Sequence, residues 1–395
     1  MKSASNSPTA RWITKSIAAP AIIALVISAG FVMLRLLVFA DGDVTKFVVA
    51  GSVFTDTKRA PEGLFVRPDV GYDANFYYRL ALDPLNFDDT AYGITIEGDQ
   101  QLRRDRILYP VLAYVVSVGS VEAVPWALVF VNIAAMGTIG LCGGALARSS
   151  GRAPLWGLLF LGFPLLFFSL GRDLTEPLEV ALLLAAFLAL RRERWLWATL
   201  AFSGAVLTRE TALLVVAAVG AERVWRWARR DDRPGLRDLA WVAPGAVFIT
   251  WQAVIRLETG RFGFTGGDDG MTAPFFGLPD FIDRSIDLLD GFGTHGLLQN
   301  AEAAALLVVV VLGAVALRFT TAPSPQRWAF VALAVFASAF FGSGSWLLVG
   351  GARAFADIYA IAVLILIATP WRLTVPALVT GTVTAAAMVQ LVWFV

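Results

Sequence analysis

Residues 16–40 read SIAAPAIIALVISAGFVMLRLLVFA, with Arg35 as the only charge. The stretch is long enough for a bilayer span, which needs about 20 apolar residues. It is also longer than the ~7–15-residue apolar core of a cleaved signal peptide. Lys2, Arg11 and Lys15 precede it, so it reads as a retained first helix with its N-terminus in the cytoplasm. Working outward, further apolar segments lie at approximately 124–147, 154–170, 176–190, 195–208, 210–224, 238–256, 299–317, 328–348, 355–370 and 373–394. The expectation is an all-α polytopic transmembrane bundle of about eleven spans, with residues 1–395 forming a single integral-membrane domain. Composition agrees: 57% of the residues are hydrophobic, above the ~45–50% of a soluble domain.

The charges are nearly balanced, 32 basic against 31 acidic residues for a net +1, which excludes nucleic acid as a partner. Their placement is explained by topology. If segment 107–120, too short to span comfortably, lies in the interface, then Arg148, Arg152, Arg191, Arg192, Arg194, the run Arg223 to Arg237, Arg318, Arg327 and Arg372 all fall on the cytoplasmic side. Two long segments then face outward: a first loop with its interfacial helices, 41–123, and a second, 257–298. Cys142 is the only cysteine, so no intrachain disulfide forms.

The first outer loop carries the chemistry. Residues 71–87 read GYDANFYYRLALDPLNF: a glycine, an acid, then a helix-compatible run that Pro84 stops. Asp73 sits where an N-cap belongs. It either satisfies the free amides of that helix or serves as a general base or cation ligand facing an acceptor hydroxyl, and the two roles are compatible. Asp69 and Asp83 are weaker candidates. Tyr72, Phe76, Tyr77 and Tyr78 read as interface anchors or as stacking partners for a sugar.

Gly71-Tyr72-Asp73 opening a helix, Tyr78-Arg79-Leu80-Ala81-Leu82-Asp83-Pro84, and Arg106-Ile107-Leu108-Tyr109-Pro110 leading into an interfacial helix together resemble the first outer loop of the GT-C superfamily. These are integral-membrane glycosyltransferases that take a sugar from a polyprenyl-phosphate carrier. The resemblance implies that Asp73 is the catalytic base or metal ligand. It also implies a hexosyl- or pentosyltransferase that inverts, on the outer face of a plasma (inner) membrane, during glycan biosynthesis of the cell envelope. A glycan or glycolipid acceptor, membrane lipid and a weakly bound divalent cation (Mg or Mn) are the implied partners. Many members carry adjacent acids at this position. Here Ala74 follows Asp73, which argues against a tightly held metal.

Transfer from a sugar phosphate needs a carboxylate on one side of the anomeric carbon and cations on the other. Arg353, Arg209, Arg172 and Arg35 are the candidates for the leaving phosphate. Each also has a plainer role: Arg172 pairing with Asp173 or Glu176, Arg209 pairing with Glu210, and Arg35 snorkelling to the surface. Glu176 either accepts a sugar hydroxyl or supports Arg172, and is read chiefly in the supporting role. In the second loop, Gly266-Gly267-Asp268-Asp269-Gly270 reads as a mobile connection or lid. Residues 279–290 read as an interfacial amphipathic helix with Phe281, Ile282, Ile286 and Leu289 on its apolar side. His295 is the only histidine, too few for a histidine triad or zinc cluster. The rival readings are a transporter or flippase of lipid-linked saccharides and a non-catalytic scaffold.

Overall fold

The structure is a computed structural model that describes residues 16–264, 271–291, 293–343, 346–347 and 351–393. It is mostly helical. Five helical segments are long and apolar enough to cross a membrane: Ala18–Val38, Val121–Ser149, Leu236–Thr259, Gly296–Ala316 and Thr374–Val392. They match the expected spans at 16–40, 124–147, 238–256, 299–317 and 373–394.

The first helix, α1 (Ala18–Val38), lies along α4 (Val124–Ser149), more closely than ordinary side chains allow. A Cβ at Gly140 would strike the Pro20 carbonyl, and one at Gly144 would strike the Pro20 ring. Small residues on one helical face let two backbones approach, which is how apolar helices gain packing energy when lipid is the alternative neighbour.

The other expected spans are shorter or broken. Segment 154–170 is a 3-10 stretch (Pro154–Leu161) and a short helix, α5 (Pro164–Leu170), parted at Gly162–Phe163. Pro164 cannot donate to a continuing helix. Next come α6 (Glu176–Arg191), α7 (Trp195–Thr208) and α8 (Ala212–Ala228), then α9 (Leu239–Thr259) and the amphipathic α10 (Leu278–Gly291). The chain continues through α11 (Gly293–Ala316), α12 (Ser324–Ser338), α13 (Ala356–Ile367) and α14 (Thr374–Trp393). α13 is apolar all round apart from Asp357 at its start, and it is buried along its whole length among α6, α11 and α12. A helix of this pattern suits the interior of a protein or of a membrane bundle. Its twelve residues reach only about 18 Å, short of the ~30 Å hydrocarbon core.

The first long loop is ordered. Two tiny strands, β1 (Ala50–Gly51) and β2 (Val66–Arg67), pair in parallel. They precede α2 (Ala74–Leu82), a hairpin of β3 (Thr90–Ala91) and β4 (Ile94–Thr95), a 3-10 run (Gly98–Arg106) and α3 (Leu108–Ser117). Exposed Tyr114, Val115, Val116 and Val118 make the end of α3, within segment 107–120, an apolar tip. In the second long loop α10 docks through Phe281 onto Phe341 and Trp346, while Ile282, Ile286 and Leu289 stay exposed.

The helices separate two kinds of polar chemistry. Arg152 donates to the carbonyls of Ile367, Thr369 and Trp371 beyond α13. Arg191 reaches Ser149, Ser150 and Gln326. These basic connections lie at one end of α6, and the first long loop meets its other end, at Glu176.

Gly71 sets the approach to α2. Its φ is +71°, and it packs backbone to backbone against Gly51, so that a Cβ on either residue would strike the other chain. The Tyr72 amide donates to the Val49 carbonyl at 2.9 Å. Left-handed strain costs about 1–2 kcal/mol and overpacking about 1–3 kcal/mol. Gly71→Ala is therefore expected to destabilise the fold by roughly 2–5 kcal/mol, read as a fall in the thermal unfolding temperature. An unchanged unfolding temperature would show that this contact does not position the loop.

Candidate active site

Asp73 occupies the N-cap position of α2, but its side chain caps nothing. The carboxylate turns away from the helix. Its Oδ1 accepts from Arg103 Nη2 at 2.6 Å and from Arg103 Nε at 3.2 Å. Its Oδ2 accepts from Arg353 Nη2 at 2.6 Å. The helix-capping role expected of the side chain is thus absent, because two guanidinium groups compete for its oxygens and win. Charge-assisted hydrogen bonds are about twice as strong as neutral ones.

From Asp73 the charges alternate. Arg353 sits on a short 3-10 turn (Gly351–Phe355) leading into α13 and bridges Asp73 to Glu176 Oε1. Glu176, in the first turn of α6, also accepts from Arg209 Nη1 at 3.1 Å and from Ser169 Oγ at 2.9 Å. Arg209 Nε lies 3.6 Å from Glu179 Oε2, and Thr211 Oγ1 donates to Glu179 Oε1 at 2.8 Å. Beside this chain Arg106 grips Glu210 with two bonds of 3.0 and 2.6 Å and donates to the Tyr77 hydroxyl at 2.9 Å. The ion-paired groups come from the first long loop, the starts of α6 and α13, and the α7–α8 connection.

The electrostatics follow from this placement. Burial alone would raise the Asp73 carboxyl, but Arg103, Arg353 and Arg106 outweigh it and hold the group well below the usual carboxylate range. Burial would likewise lower Arg353, and Glu176, Tyr72 and Asp73 reverse this, keeping the guanidinium firmly protonated. Asp105 lacks such partners. Burial pushes its carboxyl up to about 7, and both of its buried oxygens lack a hydrogen-bond partner among the described residues.

The expected phosphate-binding arginines part company. Arg353 meets Asp73 directly and also donates to the Tyr72 hydroxyl at 3.3 Å. Arg209 is 3% exposed, and its partners are Glu176 and Glu179 rather than Glu210, so its charge is already compensated. Arg172 pairs with neither Asp173 nor Glu176. Its guanidinium lies over the rings of Tyr72 and Phe168, at 4.9 and 4.3 Å. Glu176 consequently supports Arg353 and Arg209, not Arg172. Arg35 does not snorkel: it is buried and donates to the carbonyls of Gly171 and Leu391.

Tyr78 and Arg79 are buried on α2 away from this chain, Arg79 bonding the Asp88 carbonyl. Asp69 accepts from the Gly71 amide and from Arg67, and so holds the turn. Asp83 terminates α2. Asp268, Asp269 and the side chain of His295 lie outside the described residues.

The sequence reading missed Arg103, the Arg106–Tyr77 contact and Glu179. A signal for the first two was present. Residues 103 and 106 are three apart, so on the 3-10 run, with three residues per turn, they share a face. Arg104, off that face, binds the carbonyls of Asn86, Phe87 and Asp88 instead.

A divalent cation does not fit at Asp73. Both of its oxygens are taken by guanidinium groups that would repel one. Among the described residues no three His, Cys, Asp or Glu side chains gather as a metal site. Comparison of the chain with protein-family models, curated proteins and solved structures finds no match.

Proposed function

We propose that the protein is a membrane glycosyltransferase of GT-C type. It takes a sugar from a polyprenyl-phosphate carrier and passes it to a glycan or glycolipid acceptor at the outer face of the plasma membrane. The observation that carries the reading is the 2.6 Å contact between Asp73 and Arg353, groups 280 residues apart in sequence. Displacement at a sugar phosphate needs a carboxylate and a cation converging on opposite sides of the anomeric carbon, and this contact brings both groups to one site that a bound donor would part.

In this mechanism the donor phosphate draws Arg353 toward itself. Asp73, relieved of one cation, becomes a stronger base and takes the proton of the acceptor hydroxyl. The acceptor oxygen bonds to the anomeric carbon, and the carbon–oxygen bond to the phosphate breaks with its electron pair leaving on the phosphate. Arg353 stabilises that developing charge. Glu176 and Arg103 hold the two partners in place between turnovers.

A transporter or flippase of lipid-linked saccharides is the second reading. The buried alternation of Arg353, Glu176, Arg209 and Glu179 favours it, because charges within a helical bundle also mark transport pathways. Product stereochemistry tests the first reading. Direct displacement gives a glycoside of configuration opposite to that of the donor, and a retained configuration would contradict the mechanism.

A further inference from the structure

A second cationic site adjoins the first through Tyr72, whose ring centroid lies 4.9 Å from the Arg172 guanidinium and 5.1 Å from that of Arg353. Where α1 meets the first long loop, a cavity of about 370 Å³ is walled by Arg35, Lys46, Arg67 and Arg172, with Phe39 and Phe65 among its apolar lining. That volume is within the ~300–1,000 Å³ of small-molecule sites.

Two of the four cations have no ion-paired carboxylate among the described residues. Arg172 is buried, and its Nε has no hydrogen-bond partner among the described residues. Arg35, also buried, bonds only carbonyl oxygens, those of Gly171 and Leu391. Asp173 acts on Arg35 through space but pairs with neither arginine, since both of its buried carboxylate oxygens lack a hydrogen-bond partner among the described residues. The other two cations are held loosely. Lys46 pairs with Asp41, which is 80% exposed, and Arg67 pairs with the half-exposed Asp69. Exposed pairs contribute little, so both can turn to a bound anion.

Buried guanidinium groups that no carboxylate pairs directly are costly unless an anion joins them. Arginine forks match phosphate oxygens two at a time. The location specifies the rest of the ligand. Arg35 lies in the last turn of α1, where Met33, Leu34 and Leu37 are exposed apolar residues on a helix long enough to span a bilayer.

We propose that this cavity binds the phosphate group of a lipid, with Arg172 and Arg35 as its fixed contacts and Lys46 and Arg67 closing over it. The proposal concerns binding and does not rest on glycosyl transfer. The phosphate belongs either to an isoprenoid carrier or to a glycerophospholipid of the surrounding bilayer.

The purified full chain in detergent is titrated with farnesyl phosphate, with dioleoylphosphatidylglycerol and with farnesol, and binding is read by native mass spectrometry. The parent protein is expected to bind at least one phosphate lipid and to bind farnesol at least ~10-fold more weakly. Arg172→Gln, and separately the double variant Lys46→Gln/Arg67→Gln, are each expected to weaken phosphate-lipid binding about 10-fold or more, the loss of one charge-assisted contact. Preference for farnesyl phosphate assigns the site to an isoprenoid carrier, and preference for the glycerolipid assigns it to the bilayer. The double variant breaks only pairs with exposed or half-exposed carboxylates, so it reports even if Arg172→Gln fails to fold. Farnesol binding as well as farnesyl phosphate, or parent-like phosphate-lipid binding by the double variant, would overturn the proposal.

Discussion

Asp73→Asn is expected to lower glycosyl transfer by about 10²–10⁴-fold, the usual cost of losing a general base, while the protein still inserts and binds its donor. Asn retains one oxygen, which accepts from Arg103 or from Arg353 but not both, and its amide NH2 faces the other guanidinium, so the change removes the charge and one of the two contacts. The stability loss is expected to be about 1–3 kcal/mol, that of weakening hydrogen bonds to charged groups. Because Asp73 makes no capping bond, a large loss of folding would point to the ion pairs with Arg103 and Arg353. The pH dependence has a definite sign. The carboxyl is held below its ordinary value, so its stabilising contribution is complete above about pH 4 and is lost as pH falls toward its lower folded value. Parent-like transfer by Asp73→Asn would remove Asp73 from the role of base.

Arg353→Ala is expected to lower turnover by on the order of 10²-fold or more, as when one donor to developing charge is deleted, equivalent to about 2.7 kcal/mol of the barrier. The substitution also leaves Asp73 and Glu176 facing one another's side of the site with a cation missing. Arg353→Lys separates the two effects. It restores a positive charge but not the planar fork that reaches Asp73, Glu176 and Tyr72 together, so recovery is expected to be partial. Steady-state rates of the two variants decide it, and full activity in Arg353→Ala would move the leaving phosphate to Arg172.

Sequence reading succeeded where a long-range pattern settles the answer. The spans at 16–40, 124–147, 238–256, 299–317 and 373–394 are long uninterrupted apolar runs, and each corresponds to a helix of spanning length. The remaining expected spans are not matched by helices of spanning length, because length alone had to separate lipid-facing from protein-facing segments. The apolar run containing α13 looks like a span in one dimension, yet the helix is short and surrounded by protein.

The site divides in the same way. Gly71-Tyr72-Asp73 marked the start of a helix, and the helix is there. The direction of the Asp73 side chain was not legible, because its partners lie 30 and 280 residues away. Pairing Arg209 with Glu210, or Arg172 with Asp173, failed for a geometric reason: adjacent residues point in different directions. Arg209 faces α6, whereas Glu210 faces Arg106.

The most direct test of the central claim is to follow both halves of the donor at once. The purified parent protein, reconstituted in vesicles, is given polyprenyl-phosphate sugar labelled in the sugar together with an envelope glycolipid acceptor. Carrier phosphate and labelled product are then measured side by side. The account requires one glycosidic bond formed for each carrier phosphate released, with both falling together in Asp73→Asn. Movement of intact polyprenyl-phosphate sugar across the bilayer, with no bond broken or formed, would contradict it.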